Sequence, residues 1–201
     1  MSLFYKDKSS PFLLSLTFYI FGRIIIPFLT YLCGMNQYPV FLLLGANLGD
    51  REATLSKAIT LISERIAPVI SASSLYETAP WGVEEQPAYL NQVISLTTEK
   101  EAKRVLQAAL AIEKELGRER RLRWGARVID IDVLFYGNKI LTSEELEVPH
   151  PRLHQRKFTL VPLAEIAPEF VHPLLKKTIQ QLLNECTDEG IVSLFKRFKT
   201  N

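Results

Sequence analysis

Four apolar or alternating segments and two helically spaced ones, in the order β-α-β-β-α-β, predict an α+β fold for this 201-residue chain. That order is the ferredoxin-like plait, an antiparallel sheet with helices on one face, here with an extra C-terminal helical segment. A composition of 47% hydrophobic and 23% charged residues agrees, because it supports a buried core and excludes long disorder.

The first strand is the apolar run 38–44, YPVFLLL, which stops at Gly45. Asp50 is placed to cap a helix from Arg51, with Leu55, Ala58, Ile59, Ile62 and Ile66 at helical spacing. Residues 69–76 form the second strand. Residues 77–88, with Pro80, Gly82 and Pro87, form a long loop, and 90–98 alternate as the third strand. Residues 100–116 form a helix with Val105, Leu106, Ala109, Ile112 and Leu116 on one side and Gly117 at its end. A basic loop, 118–126, leads into the fourth strand, 127–136, which turns at Gly137-Asn138. Short helices are expected over 160–166 and 176–184.

Residues 1–34 stand apart from residues 35–201, which form the expected domain. Sixteen of the 23 residues in 11–33 are apolar, about the length that spans a bilayer, with Lys6 and Lys8 ahead of them. Two readings stand: a membrane anchor, or sequence upstream of a start at Met35. The net charge of +2 belongs to this extension, through Lys6, Lys8 and Arg23 against Asp7, so the body sums to zero. A neutral body gives no electrostatic case for nucleic-acid binding. Cys33 and Cys186 form no metal spacing or disulfide framework, which suits a reducing compartment.

The sharpest chemical signal is Asp130-Ile131-Asp132 within the fourth strand. Alternation turns Ile129, Ile131 and Val133 to the core and both acids to the other face. Two carboxylates about 7 Å apart along a strand can converge on divalent cations. Asp is a poor strand former, so a merely solvated face is the weaker explanation. Directly before them, residues 118–127 hold five arginines: Arg118, Arg120, Arg121, Arg123 and Arg127. Guanidiniums beside metal-binding acids suit a polyphosphate. Residues 77–82 with Tyr89 and Asn91 offer an aromatic ring and amides to a flat heterocycle. His150 and His154 are four apart, but Pro151 argues against a helical metal pair. His172 reads as an ordinary loop residue. The run Gly45-Ala46-Asn47-Leu48-Gly49-Asp50 lacks the Lys-Ser/Thr of a phosphate loop and reads as a tight turn, with Gly45 allowing close backbone approach to a ligand.

Together these segments resemble the 6-hydroxymethyl-7,8-dihydropterin pyrophosphokinase family of the folate pathway. The resemblance rests on Leu44-Gly45-Ala46-Asn47-Leu48-Gly49, on Tyr76-Glu77-Thr78-Ala79-Pro80 and on Gln86-Pro87-Ala88-Tyr89-Leu90-Asn91. It rests also on Arg123-Trp124-Gly125-Ala126-Arg127-Val128-Ile129-Asp130-Ile131-Asp132, and on Val148-Pro149-His150 with Arg156 and Phe158. It spans roughly residues 37–185 and says nothing of 1–34.

The resemblance implies transfer of diphosphate from ATP to the pterin hydroxymethyl group, with AMP leaving. It implies that Asp130 and Asp132 hold two Mg²⁺ ions, and that Arg127 and Arg118 bind phosphate. Glu113, Trp124, His150 and Arg156 would line the nucleotide site. Tyr89 and Phe158 would sandwich the pterin, with Gly45, Thr78 and Asn91 at its edge. The chain departs from some members at Pro151, where they carry an aromatic, and Arg120, Arg121 and Arg123 carry no individual roles. A cytoplasmic monomer with ATP and the pterin as partners and no nucleic acid is expected, with membrane contact only if residues 11–33 are translated. The rival readings are a nucleotide- or RNA-binding module on the same fold, which Asp130 and Asp132 oppose by repelling a phosphate backbone, and a membrane-tethering protein, which leaves those acids unexplained.

Overall fold

The computed structural model describes residues 37–79, 86–118 and 125–197. The hydrophobic extension, Met35, Trp81, Trp124, Arg120, Arg121 and Arg123 lie outside the described residues. In chain order the elements are β1 (Tyr38–Ala46), α1 (Arg51–Arg65), β2 (Val69–Ala72), β3 (Leu75–Thr78), β4 (Tyr89–Thr98), α2 (Ala102–Glu115) and β5 (Asp130–Tyr136). A small ribbon, β6 (Leu141–Thr142) with β7 (Glu147–Val148), precedes α3 (Lys157–Ile166), α4 (Ile179–Glu185) and β8 (Val192–Lys196).

The main sheet runs β5-β1-β4-β3-β8, with β2 also on β4 and every pairing antiparallel. Leaving β8 aside and taking β2 and β3 as one interrupted strand, this is the plait order expected from the sequence.

β1 is central and buried on both faces, which is why its sequence is a continuous apolar run. Val40, Leu42 and Leu44 meet Leu55 and Ile62 of α1 and Val105 and Ile112 of α2 in one core. Ile129, Ile131 and Val133 join that core, as alternation requires. The side chain of Asp50 caps α1 by accepting from the Ala53 amide at 3.0 Å.

Four differences from the sequence reading have local causes. The second strand is broken at Ser73-Ser74: the Ser73 hydroxyl accepts from the Val93 amide, and the Ser74 amide donates to the Glu165 carboxylate, so β2 and β3 are separate. The fourth strand begins at Asp130, not Arg127, because the Arg127 amide donates to the Asn47 side chain instead of a strand partner. The helices do not keep to one face. α1 and α2 cover one, while α3 and α4 cover much of the other, packing Leu160, Leu163, Ile179 and Leu182 against Phe41, Leu43, Val93 and Phe135. Finally, β8 extends the sheet beyond β3, with Glu77 opposite Ser193.

On the α3 side β1 presents Phe41, then Leu43, then Gly45. The side chains shrink towards one end of the sheet, and a cleft opens there.

Candidate active site

The strand register assembles that cleft. Tyr76, Asn91, Gly45 and Asp130 form one row across β3, β4, β1 and β5. Val93, Leu43 and Asp132 form the row beneath it, and Thr78 pairs with Tyr89 above it. The cleft has a volume of about 280 Å³. Its lining contains Gly45, Thr78, Tyr89, Asn91, Arg118, Arg127, Asp130, Asp132, His150, Arg156 and Phe158, together with Leu43 and Ala79.

Charge crowds one side. Asp130 takes Arg118 at 2.6 Å and Arg127 at 2.7 Å on its two oxygens. Arg118 also pairs with Glu113, which is 3% exposed on α2 and accepts from the Ile131 amide at 2.7 Å. Glu113 therefore ties β5 and Arg118 to the helix behind them. Burial raises the Glu113 carboxyl, opposed by Arg118 and the Ile131 amide. For Arg118, burial works to lower its pKa, but Asp130 and Glu113 outweigh it and the net shift is upward.

Among the described residues Asp132 has no such clamp. Burial, and then the neighbouring Asp130 charge, push its carboxyl up to about 7, against the pull of Arg156 and Arg118. His150 is pushed down to about 4, by burial first and then by Arg156 and Arg152, and its Nδ1 accepts from the Arg152 amide at 3.3 Å. At neutral pH it is therefore neutral, with its Nδ1 lone pair engaged.

The other side is neutral and satisfied. The Asn91 amide donates to Thr78 Oγ1 at 2.8 Å. Tyr89 donates to the Gly125 carbonyl at 3.4 Å, and burial raises its hydroxyl pKa. A Cβ built on Gly45 would lie 3.1 Å from Asn91 Oδ1, so close approach is why a glycine stands there. Phe158 carries the Arg156 guanidinium over its ring at 5.5 Å.

Among the described residues no group of three or more His, Cys, Asp or Glu side chains could hold a metal alone. Asp130 and Asp132 fit a hard cation that takes its remaining ligands from phosphate oxygens, since two close carboxylates in a half-buried cleft favour a cation between them.

Residues 41–168 match the family model of 7,8-dihydro-6-hydroxymethylpterin-pyrophosphokinase. The 2-amino-4-hydroxy-6-hydroxymethyldihydropteridine pyrophosphokinase of Aquifex aeolicus is 38% identical over 157 residues, 78% of this chain and 98% of that one. The chain belongs to this family. The Bacillus subtilis pyrophosphokinase is 42% identical over 127 residues, 63% of this chain and 76% of its own. In fold the chain is similar to the Plasmodium falciparum HPPK-DHPS structure, with a TM-score of 0.60, 17% identity and 74% of this chain covered. It spans 44% of that longer chain.

Eleven of the residues that the sequence assigned to a pyrophosphokinase site line one cleft. Glu113 lies behind it, holding Arg118. Trp124, also assigned, lies outside the described residues. His154 is absent from the cleft lining. It stands edge-on to His172, which is 3% exposed and whose Nδ1 accepts from the Leu174 and Leu175 amides. His172 is thus a buried structural histidine, not an ordinary loop residue. Asn47 and Arg51 were missed. Arg51 donates to Glu77 and to the Ala88 carbonyl, both at 2.8 Å, and so holds the two flanks of the loop between β3 and β4. Their only signal was membership of the Gly-x-Asn-Leu-Gly-Asp-Arg run at the start of α1.

Proposed function

We propose that this cleft performs the family's reaction with the residues named above. The protein is a pyrophosphokinase of folate biosynthesis: it transfers diphosphate from ATP to 6-hydroxymethyl-7,8-dihydropterin. The observation that supports the residue roles is the alternation of charge in the cleft. Asp130 and Asp132 stand side by side, flanked by Arg118, Arg127 and Arg156. Acids alone would repel a polyphosphate, and arginines alone would not need the acids. A metal–polyphosphate complex satisfies both.

Asp130 and Asp132 would hold Mg²⁺. When bound, the metal neutralises phosphate charge and polarises the β-phosphorus. Arg118 and Arg127, which pair with Asp130 in this structure, would offer their guanidiniums to phosphate oxygens. Neutral His150, Arg156 and Trp124 belong to the nucleotide side. Tyr89 and Phe158 enclose the pterin ring, with Thr78, Asn91 and the Gly45 backbone at its edge. The pterin hydroxyl oxygen bonds to the β-phosphorus, the bond from that phosphorus to the α-phosphate oxygen breaks, and the hydroxyl proton is released to solvent. Positioning and charge neutralisation supply most of the acceleration. The same reading takes the protein to be a cytoplasmic monomer, and no described helix is long and apolar enough to cross a membrane.

The test mixes purified protein, Mg²⁺, ATP and the dihydropterin and separates the nucleotides. AMP appears in step with the pterin diphosphate ester, and neither forms without Mg²⁺. ADP as the sole product, or turnover indifferent to the pterin, overturns the reading.

A further inference from the structure

One buried side chain outside the cleft lining touches both of its walls. Asn47 follows β1, is 2% exposed, and uses its whole amide. Its Nδ2 donates to Gln86 Oε1 at 3.3 Å and to the Pro87 carbonyl at 3.2 Å. Its Oδ1 accepts from the Arg127 amide at 2.7 Å, and its own backbone amide donates to the Arg127 carbonyl at 3.2 Å.

The two sets of bonds lead to different halves of the site. Gln86 and Pro87 enter β4 just before Tyr89 and Asn91. Arg127 holds Asp130 through its side chain. Asn47 thus extends the β1–β5 pairing beyond Asp130 with a side chain, and the same amide fixes the approach to Tyr89. A buried amide with both functions engaged has little slack, and neither wall can shift without breaking one of its bonds.

We propose that Asn47 is a positioning residue that locks the pterin wall to the phosphate wall, its donor half setting pterin affinity and its acceptor half setting the Arg127 backbone. This rests on the functional reading above for the identity of the two ligands. Asn47 is absent from the cleft lining, so its effect is on geometry and is separable by atom. Arg51 independently holds Glu77 and Ala88, so the pterin-side loop keeps a second anchor when Asn47 is changed.

The separation is tested with two substitutions. Asn47→Asp keeps an oxygen for the Arg127 amide but sets an acceptor against the Pro87 carbonyl. Asn47→Ala removes both functions. Equilibrium binding is measured for the dihydropterin and, separately, for an unreactive ATP analogue with Mg²⁺. Asn47→Asp weakens pterin binding about tenfold and leaves the analogue within about twofold, whereas Asn47→Ala weakens both. Equal weakening of both ligands by Asn47→Asp, or no weakening of the pterin, overturns the proposal. If Asn47→Asp does not fold, Gln86→Ala decides: it must weaken the pterin alone, by a smaller factor, and unchanged pterin binding overturns the proposal. AMP release by the unaltered protein tests the functional reading and the binding asymmetry tests the lock, so either can fail without the other.

Discussion

The two halves of the cleft are held together by different forces. The half proposed for the pterin, Gly45, Thr78, Tyr89 and Asn91, is neutral: the Thr78–Asn91 bond is made and Asn91 and Tyr89 lie close against Gly45. The half proposed for the phosphates, Arg118, Arg127, Asp130, Asp132 and Arg156, is a standing compromise among charges. Arg118 and Arg127 pair with Asp130, while burial and the neighbouring Asp130 charge push the Asp132 carboxyl up to about 7. A neutral half selects by shape, whereas a charged half is completed only by a ligand that brings both a cation and an anion. Changes in the two halves should therefore differ in kind.

The largest expected effect lies in the phosphate half. Asp132→Asn should cut turnover by about 10³-fold or more, since it removes a proposed metal ligand. Without ligands the same change should leave the melting temperature level or raise it, because the folded state penalises the Asp132 charge. Asp130→Asn should match it in activity but lower the melting temperature, since the Asp130 ion pairs with Arg118 and Arg127 are lost. Thermal melts and single-turnover assays check both. Near-normal turnover in both variants would remove the acids from the chemistry, and equal melting shifts would erase the distinction between clamped and unclamped acid.

This half was readable in the sequence because its information is local. Asp130 and Asp132 are two apart on a strand among Ile129, Ile131 and Val133, and the arginines precede them directly. The plait was readable for the same reason, since each element carries its own period. What holds the walls in place was not. Asn47 meets residues 39, 40 and 80 positions away, and Arg51 meets residues 26 and 37 away. No periodicity encodes such contacts. β8 was missed because four of its five residues are exposed and none is fully buried, so it carries no core signal. The break at Ser73-Ser74 depends on Glu165, 91 residues on.

The next effect tests the support beneath the phosphate half. His172 packs edge-on to Phe135 of β5, faces His154, and accepts two backbone amides on Nδ1, so its protonation breaks those bonds. Burial first, then His154, lower its pKa from 6.5 to about 4. The unfolded chain therefore binds the proton more readily, and the stabilisation is present above about pH 6.5 and lost as pH falls towards 4. About 2 kcal/mol should disappear over that window, after a discount for solvent screening. His150 acts in the same direction over this window and Asp132 in the opposite one. The His172 share is therefore read as the difference between the unaltered protein and His172→Gln in denaturant melts from pH 7 to pH 4. A variant whose pH profile overlays that of the unaltered protein would assign the acid sensitivity elsewhere.

The smallest effect probes the neutral half by shape alone. Gly45 has no positive φ among the described glycines, so alanine fits its backbone and only the added Cβ matters. That Cβ would meet Asn91 Oδ1 at 3.1 Å and Tyr89 Cδ1 at 3.8 Å. The Tyr89 contact is ordinary. The Asn91 contact is tight, and Asn91 cannot retreat without stretching its 2.8 Å bond to Thr78. The strain therefore falls on the group proposed to read the pterin edge, while Asp130, opposite Gly45 in register, is engaged through backbone and keeps its arginines. Gly45→Ala should raise the pterin KM about tenfold, near 1.4 kcal/mol, with the ATP KM within about twofold. Steady-state kinetics with each substrate varied in turn provide the measurement. An equal rise in both constants would mean that the Cβ displaces β1 against β5, and the two halves would then be one mechanical unit at Gly45 as well as at Asn47.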